Sequence, residues 1–129
     1  MENQVINART VLAVNDLAIS AAYFIDKLGF ERDFAVPGWE FLSFGNFQVI
    51  LGEFPDAMPA RDLGEHAFAA YARVRDVDSL YADLKARGAD FAEEPPYTEP
   101  WGMREILVVT PDGHRIKYGQ TVGRPDGDE

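Results

Sequence analysis

The chain has no cysteine and only two histidines among its 129 residues. Without thiols it forms no disulfide, and thiolate zinc sites, iron–sulfur clusters and cysteine nucleophiles are excluded with them. A protein without cysteine suits a reducing compartment, so a cytoplasmic location is the expectation. No apolar run approaches the roughly 20 residues that a membrane span needs, and residues 1–8 lack the basic-then-apolar layout of a signal peptide. Basic residues are scarce as well, 12 against 22 acidic ones, for a net charge of −10. A field of that sign repels nucleic acid and anionic lipid and favours cationic ligands, so neither nucleic acid nor membrane is expected as a partner. Nucleophile-elbow, P-loop and dinucleotide-binding fingerprints are absent too.

What is present is the balance of one globular domain, with 47% hydrophobic and 12% aromatic residues. Thr10 to Val14 is apolar on both alternations and reads as a strand covered on both faces. Asp16 stands where a helix N-cap belongs, followed by Leu17, Ala21, Phe24 and Leu28 at helical spacing and by Gly29 as the stop. Three aromatic-rich segments, 30–35, 39–44 and 47–52, are cut by Pro37-Gly38 and Gly45-Asn46 and read as short antiparallel strands. Residues 53–66 show neither period and are expected to form a linker. The order then recurs: a strand over 67–74, the cap Asp76, a helix through Val77, Leu80, Tyr81 and Leu84, and Gly88 to end it. A weak strand near Phe91, a loop carrying Pro95, Pro96 and Pro100, and two strands, 103–109 and 114–119, follow. A Thr110-Pro111-Asp112-Gly113 turn joins those last two strands. Residues 121–129 are expected to be a flexible tail.

The recurrence is an internal repeat. Val14-Asn15-Asp16-Leu17 matches Val74-Arg75-Asp76-Val77 at an offset of 60 (74 − 14), and Leu28-Gly29 matches Arg87-Gly88 at 59 (87 − 28). The pattern predicts an α+β domain over 1–129 made of two tandem βαβββ modules, 9–52 and 67–120. Their curved mixed sheets would enclose a cavity, with helices on the outer faces.

These pieces, in this order, resemble the glyoxalase, bleomycin-resistance and extradiol-dioxygenase superfamily (the vicinal oxygen chelate group) from about Arg9 to Gln120. Trp101-Gly102-Met103-Arg104-Glu105 is similar to a stretch of its bleomycin-resistance branch. Enzymes of that superfamily hold one divalent metal with His and Glu side chains. Carried onto this chain, the three ligand positions that its pattern fixes fall on Arg9, Ala69 and Lys117, seven residues before Asp16, seven before Asp76 and four after Gly113. None is the expected ligand and two are cationic, so the resemblance implies no metal and no other cofactor here. It also implies that the three side chains converge, that Arg9, Val11, Ala13, Ala69, Tyr71, Arg73, Arg115 and Lys117 face the cavity, and that Leu12, Val14, Ala70, Val74 and Ile116 are core. His66 and His114 read as turn or surface residues.

Aromatics supply a second set of candidates. Trp39 and Phe41 alternate with Glu40 on one strand, and Trp101 precedes another; such rings bind planar or cationic groups by stacking and cation–π contact. Glu105 would offer a negative charge beside them. The expected ligand-binding residues are therefore Arg9, Trp39, Phe41, Tyr71, Arg73, Trp101, Glu105 and Lys117, with no catalytic residue assigned. The same basic side chains suit pairing with acids across the module interface, and the same rings suit an ordinary core. The resemblance implies a metal-independent, homodimeric protein of the bleomycin-resistance type that sequesters a small molecule such as a glycopeptide antibiotic. The competing expectation is a divergent metal-dependent lyase, isomerase or dioxygenase of the same superfamily.

Overall fold

A computed structural model describes residues 3–123. Strand β1 (Thr10–Val14) leads into helix α1 (Leu17–Ala22), and β2 (Glu31–Val36), β3 (Trp39–Phe44) and β4 (Phe47–Glu53) complete the first module. The second repeats the order with β5 (Phe68–Arg73), α2 (Val77–Arg87), β6 (Phe91–Thr98), β7 (Met103–Val109) and β8 (Arg115–Thr121). Each module forms a four-stranded mixed sheet, ordered β1-β4-β3-β2 in the first and β5-β8-β7-β6 in the second. The pairs β1–β4 and β5–β8 are parallel and the others antiparallel. This is the α+β, paired βαβββ architecture that the repeat predicts.

Local chemistry fixes both helix starts. The Asp16 carboxylate accepts from the Ile19 N–H and the Asp76 carboxylate from the Ser79 N–H, each at 3.1 Å. Gly88 ends α2 in the left-handed conformation at φ 86°, a geometry that costs a residue with a Cβ. The first helical segment departs from the single regular helix expected through Leu28. After Ala22 it widens into a π-type turn over Tyr23–Lys27. That turn sends Phe24 fully into the core and lets the Tyr23 hydroxyl donate to the Val109 carbonyl at 3.0 Å while accepting from the Asp90 N–H at 2.8 Å.

A second departure concerns Pro95 and Pro96, expected in a loop. They lie within β6, which is an edge strand, so the missing N–H groups interrupt no interior ladder. The segment expected as a featureless linker is partly ordered: β4 runs through Glu53, and Ala60–His66 forms 3-10 turns kinked at Gly64. Thr121, placed in the tail by its sequence, ends β8, while the rest of the expected tail from residue 124 lies outside the described residues.

Both modules bury their helix-side faces in one core. Leu12, Val14, Phe24, Leu42, Val49 and Leu51 of the first meet Val77, Leu84, Ile106, Val108, Ile116 and Tyr118 of the second. A buried carboxylate clips the two together. Asp112, in the β7–β8 turn, accepts from the Asn15 N–H at 2.9 Å and from the Ser20 hydroxyl at 2.8 Å, where α1 begins. Arg61 closes over the same turn, its N–H donating to the Asp112 carbonyl and its guanidinium to the Pro111 carbonyl, both at 2.8 Å. Removing the carboxylate leaves two donors without partners at the module interface. Asp112→Ala should therefore lower stability by about 2–3 kcal/mol in chemical denaturation; an unchanged midpoint would show that the clip contributes nothing.

Candidate functional site

With the helix sides joined, the opposite face of each sheet is left open, and pairing register decides what each presents. On the first sheet, Val11, Ile50, Phe41 and Phe34 form one row across all four strands, and Ala13, Gly52, Trp39 and Val36 form the next. This platform is apolar and solvent-facing: Phe34 is 52% exposed and Trp39 37%. Phe34 and Phe41 stack with centroids 4.1 Å apart, and Trp39 approaches Gly52 so closely that a Cβ there would sit 2.5 Å from its ring. Arg9 closes one end, its guanidinium 5.4 Å from the Phe41 centroid and 2.8 Å from the Asp33 carboxylate. It also donates to the Leu42 and Val49 carbonyls at 3.2 Å. Hydrogen bonds from Arg9 and then from the Ser43 hydroxyl hold the Asp33 carboxyl below the usual carboxylate range.

The second sheet presents the opposite character at the equivalent rows. Tyr71, Lys117, Leu107 and Glu93 form one, and Arg73, Gly119, Glu105 and Tyr97 the next. Glu105 is only 6% exposed. Its Oε2 accepts from the Tyr71 hydroxyl at 2.6 Å, and its Oε1 lies 3.5 Å from Lys117 Nζ, which is 3.8 Å from Glu93. Burial, reinforced by the carboxylate beside it, pushes the Tyr71 phenol far above its ordinary value, so Tyr71 stays a proton donor. Gly119 makes room for that phenol: a Cβ at this position would collide with the Tyr71 oxygen. Phe68, Tyr71, Trp101, Glu105 and Lys117, with Ala69 and Ala70, line a cavity of about 580 Å³. Arg104 helps to place the Trp101–Glu105 segment. It points away from the cavity and grips the Asp78 carboxylate with two 3.0 Å hydrogen bonds, while strand alternation turns Glu105 inward. A larger cleft of about 930 Å³ runs between β1, the β3–β4 turn and β5.

The expected site residues thus divide between two surfaces. Tyr71, Trp101, Glu105 and Lys117 come together at the cavity of the second sheet, with Arg73 one row away, its guanidinium 3.2 Å from the Thr121 hydroxyl. Arg9, Trp39 and Phe41 belong to the open face of the first sheet. The expected convergence of Arg9, Ala69 and Lys117 is not met within one chain: Ala69 and Lys117 line the cavity and Arg9 lines neither hollow. Alternation in β5 is also disturbed by a bulge between Phe68 and Ala70. As a result Ala69 packs against the core as well as lining the cavity, and Ala70, expected in the core, is half-buried and touches both hollows. Phe68, Glu93 and Gly119 join this surface without being among the expected site residues. The bulge hides the phase of Phe68, whereas a glycine inside a strand pattern is a signal that something approaches closely.

These residues do not fit a divalent cation. Lys117 is an ammonium that sits against Glu105, Ala69 has no donor, and the Arg9 guanidinium is engaged with Asp33 and two carbonyls. Among the described residues no group of three or more His, Asp or Glu side chains is placed to hold a metal. His66 is exposed at the end of the 3-10 segment, and His114 is half-buried with its N–H donating to the Thr110 hydroxyl at 3.1 Å. No helix is long and apolar enough to cross a membrane among the described residues.

Comparison with known proteins places this geometry. No curated protein matches the chain. Among solved structures it is similar to the bleomycin resistance determinant encoded on the transposon Tn5, at 24% identity and a TM-score of 0.74, over 91% of this chain and 98% of that one. It is similar to the bleomycin-binding protein from Streptomyces verticillus, solved in complex with copper(II)-bleomycin, at 22% identity and a TM-score of 0.70, covering 91% and 97%. A glyoxalase/bleomycin resistance protein/dioxygenase from Alicyclobacillus acidocaldarius aligns at 18% identity with a TM-score of 0.77, covering 94% and 95%. At these identities the likeness is one of fold. The family model of the Glyoxalase/Bleomycin resistance protein/Dioxygenase superfamily matches residues 7–118, nearly the whole chain, and the protein belongs to that superfamily.

Proposed function

We propose that this is a metal-independent small-molecule-binding protein that sequesters an organic ligand in a groove completed by a homodimer. One observation carries the reading: each chain exposes an aromatic platform on one sheet and a polar, cavity-bearing face on the other, and none of the described residues covers either face. Contiguous exposed apolar surface of this kind marks an interaction site. Two chains related by a two-fold axis, each laying its platform over the other's cavity, would bury both faces twice. The ligand would then lie between Trp101, Tyr71 and Phe68 of one subunit and the aromatic platform of the other. Sequestration needs affinity and no bond making, which suits a site with a proton-retaining tyrosine, a paired carboxylate and no metal-binding set.

The bleomycin-binding neighbours and the Trp101–Glu105 segment favour a glycopeptide antibiotic as ligand. A reducing cytoplasm would be the place of action, in keeping with a chain that lacks cysteine.

Light scattering should give twice the 14.4 kDa chain mass; a species of single-chain mass would remove the shared groove. Titration with bleomycin should quench tryptophan fluorescence at micromolar ligand. The Trp101→Ala variant should bind at least about tenfold more weakly, since a stacked aromatic contributes on the order of 1 kcal/mol beyond its buried area. No fluorescence change in the native protein would end the resistance reading. Metal analysis after dialysis should find no tightly held divalent ion, and one equivalent per chain would favour the divergent enzyme instead.

A further inference from the structure

Glu105 and Lys117 stand side by side at the cavity floor with hydrogen-bonding capacity unspent. Glu105 Oε2 is satisfied by Tyr71, but Oε1 is buried and has no hydrogen-bond donor among the described residues. Lys117 Nζ, at 3.5 Å from that oxygen and 3.8 Å from Glu93, is at ion-pair distance without forming a hydrogen bond to either. A buried acceptor without a donor is costly, and the ammonium beside it has donors to give, so the floor offers one acceptor and one donor a few ångströms apart.

We infer that this floor recognises a neutral, planar group carrying an N–H and a carbonyl oxygen side by side, as a primary carboxamide or a lactam does; the inference rests on the ligand-binding reading above. The N–H donates to Glu105 Oε1 and the carbonyl accepts from Lys117 Nζ. The aromatic body attached to it lies against Trp101, 53% exposed at the cavity mouth, and against the Phe68 ring.

Charge argues against the simpler alternatives. A ligand cation aimed at Glu105 meets the Lys117 ammonium at the same carboxylate, with the Arg115 guanidinium 5.7 Å from the Phe68 centroid on the same wall. A ligand anion aimed at Lys117 meets both Glu105 and Glu93. A neutral donor–acceptor edge satisfies both groups and adds no net charge beside the buried Glu105 carboxylate. Tyr71 supports the arrangement by keeping Oε2 occupied, which leaves Oε1 as the oxygen without a donor among the described residues.

The test is a nuclear magnetic resonance titration of the isotope-labelled full-length protein with four small probes: benzamide, N,N-dimethylbenzamide, benzoate and benzylamine. The backbone signals of Tyr71, Glu105 and Lys117 report binding. Benzamide should move them and bind about tenfold or more tightly than its dimethyl analogue, because the site rejects a ligand that leaves its polar groups unpaired. Lys117→Met and the isosteric Glu105→Gln should each bring benzamide down to the level of the dimethyl compound. Equal binding of the two amides, tighter binding of benzoate or benzylamine, or no movement of these signals by any probe would each overturn the inference. Dimer mass and the antibiotic titration are read separately, so this proposal can fail while the sequestering role stands.

Discussion

Glu105 sits on an open sheet face yet is itself only 6% exposed, and a charge buried in that way must be met by its surroundings. The answering groups come from two other strands. Tyr71 crosses from β5 to donate a short hydrogen bond, Lys117 stands beside it on β8, and Gly119 gives up its side chain so that the phenol can pass. Change any one of these and the carboxylate is left unmatched or displaced. Glu105, Tyr71 and Lys117 together form the polar part of the cavity lining, beside Phe68 and Trp101.

The repeat shows how specialised that face is. Register equates Gly52 with Gly119, and on that basis Trp39 of the first module stands where Glu105 stands in the second, Ile50 where Lys117 stands, and Val11 where Tyr71 stands. One backbone plan therefore carries an apolar surface in one copy and an ionic one in the other. Both glycines serve a close approach, of Trp39 to β4 and of Tyr71 to β8, so the device is retained while the chemistry over it differs. Within one chain the stacking platform and the polar floor lie on different sheets.

Much of the architecture is legible in the amino-acid order because its signals are local. Asp16 and Asp76 cap helices, Gly88 ends one, and the 60-residue offset reveals two copies of one unit. The aromatic and ionic candidates were equally visible as residue types. What could not be read was which of them share a surface, because that depends on how the two sheets are joined. Asp112 reaches back to the start of α1 across the module boundary, and Arg9 and Lys117 lie on different sheets. The β5 bulge, which shifts the alternation near Ala69, and the edge placement that admits two prolines into β6 are likewise tertiary facts without a sequence period.

The most direct test of the proposed shared groove is a crystal structure of the protein grown with a bleomycin-type glycopeptide. Ligand density should touch Tyr71 and Trp101 of one protomer and the aromatic face of its partner's first sheet, with no metal ion held by the protein's own side chains. Density confined to the cleft between β1 and β5, or an ion coordinated by protein ligands at the floor of the cavity, would contradict it.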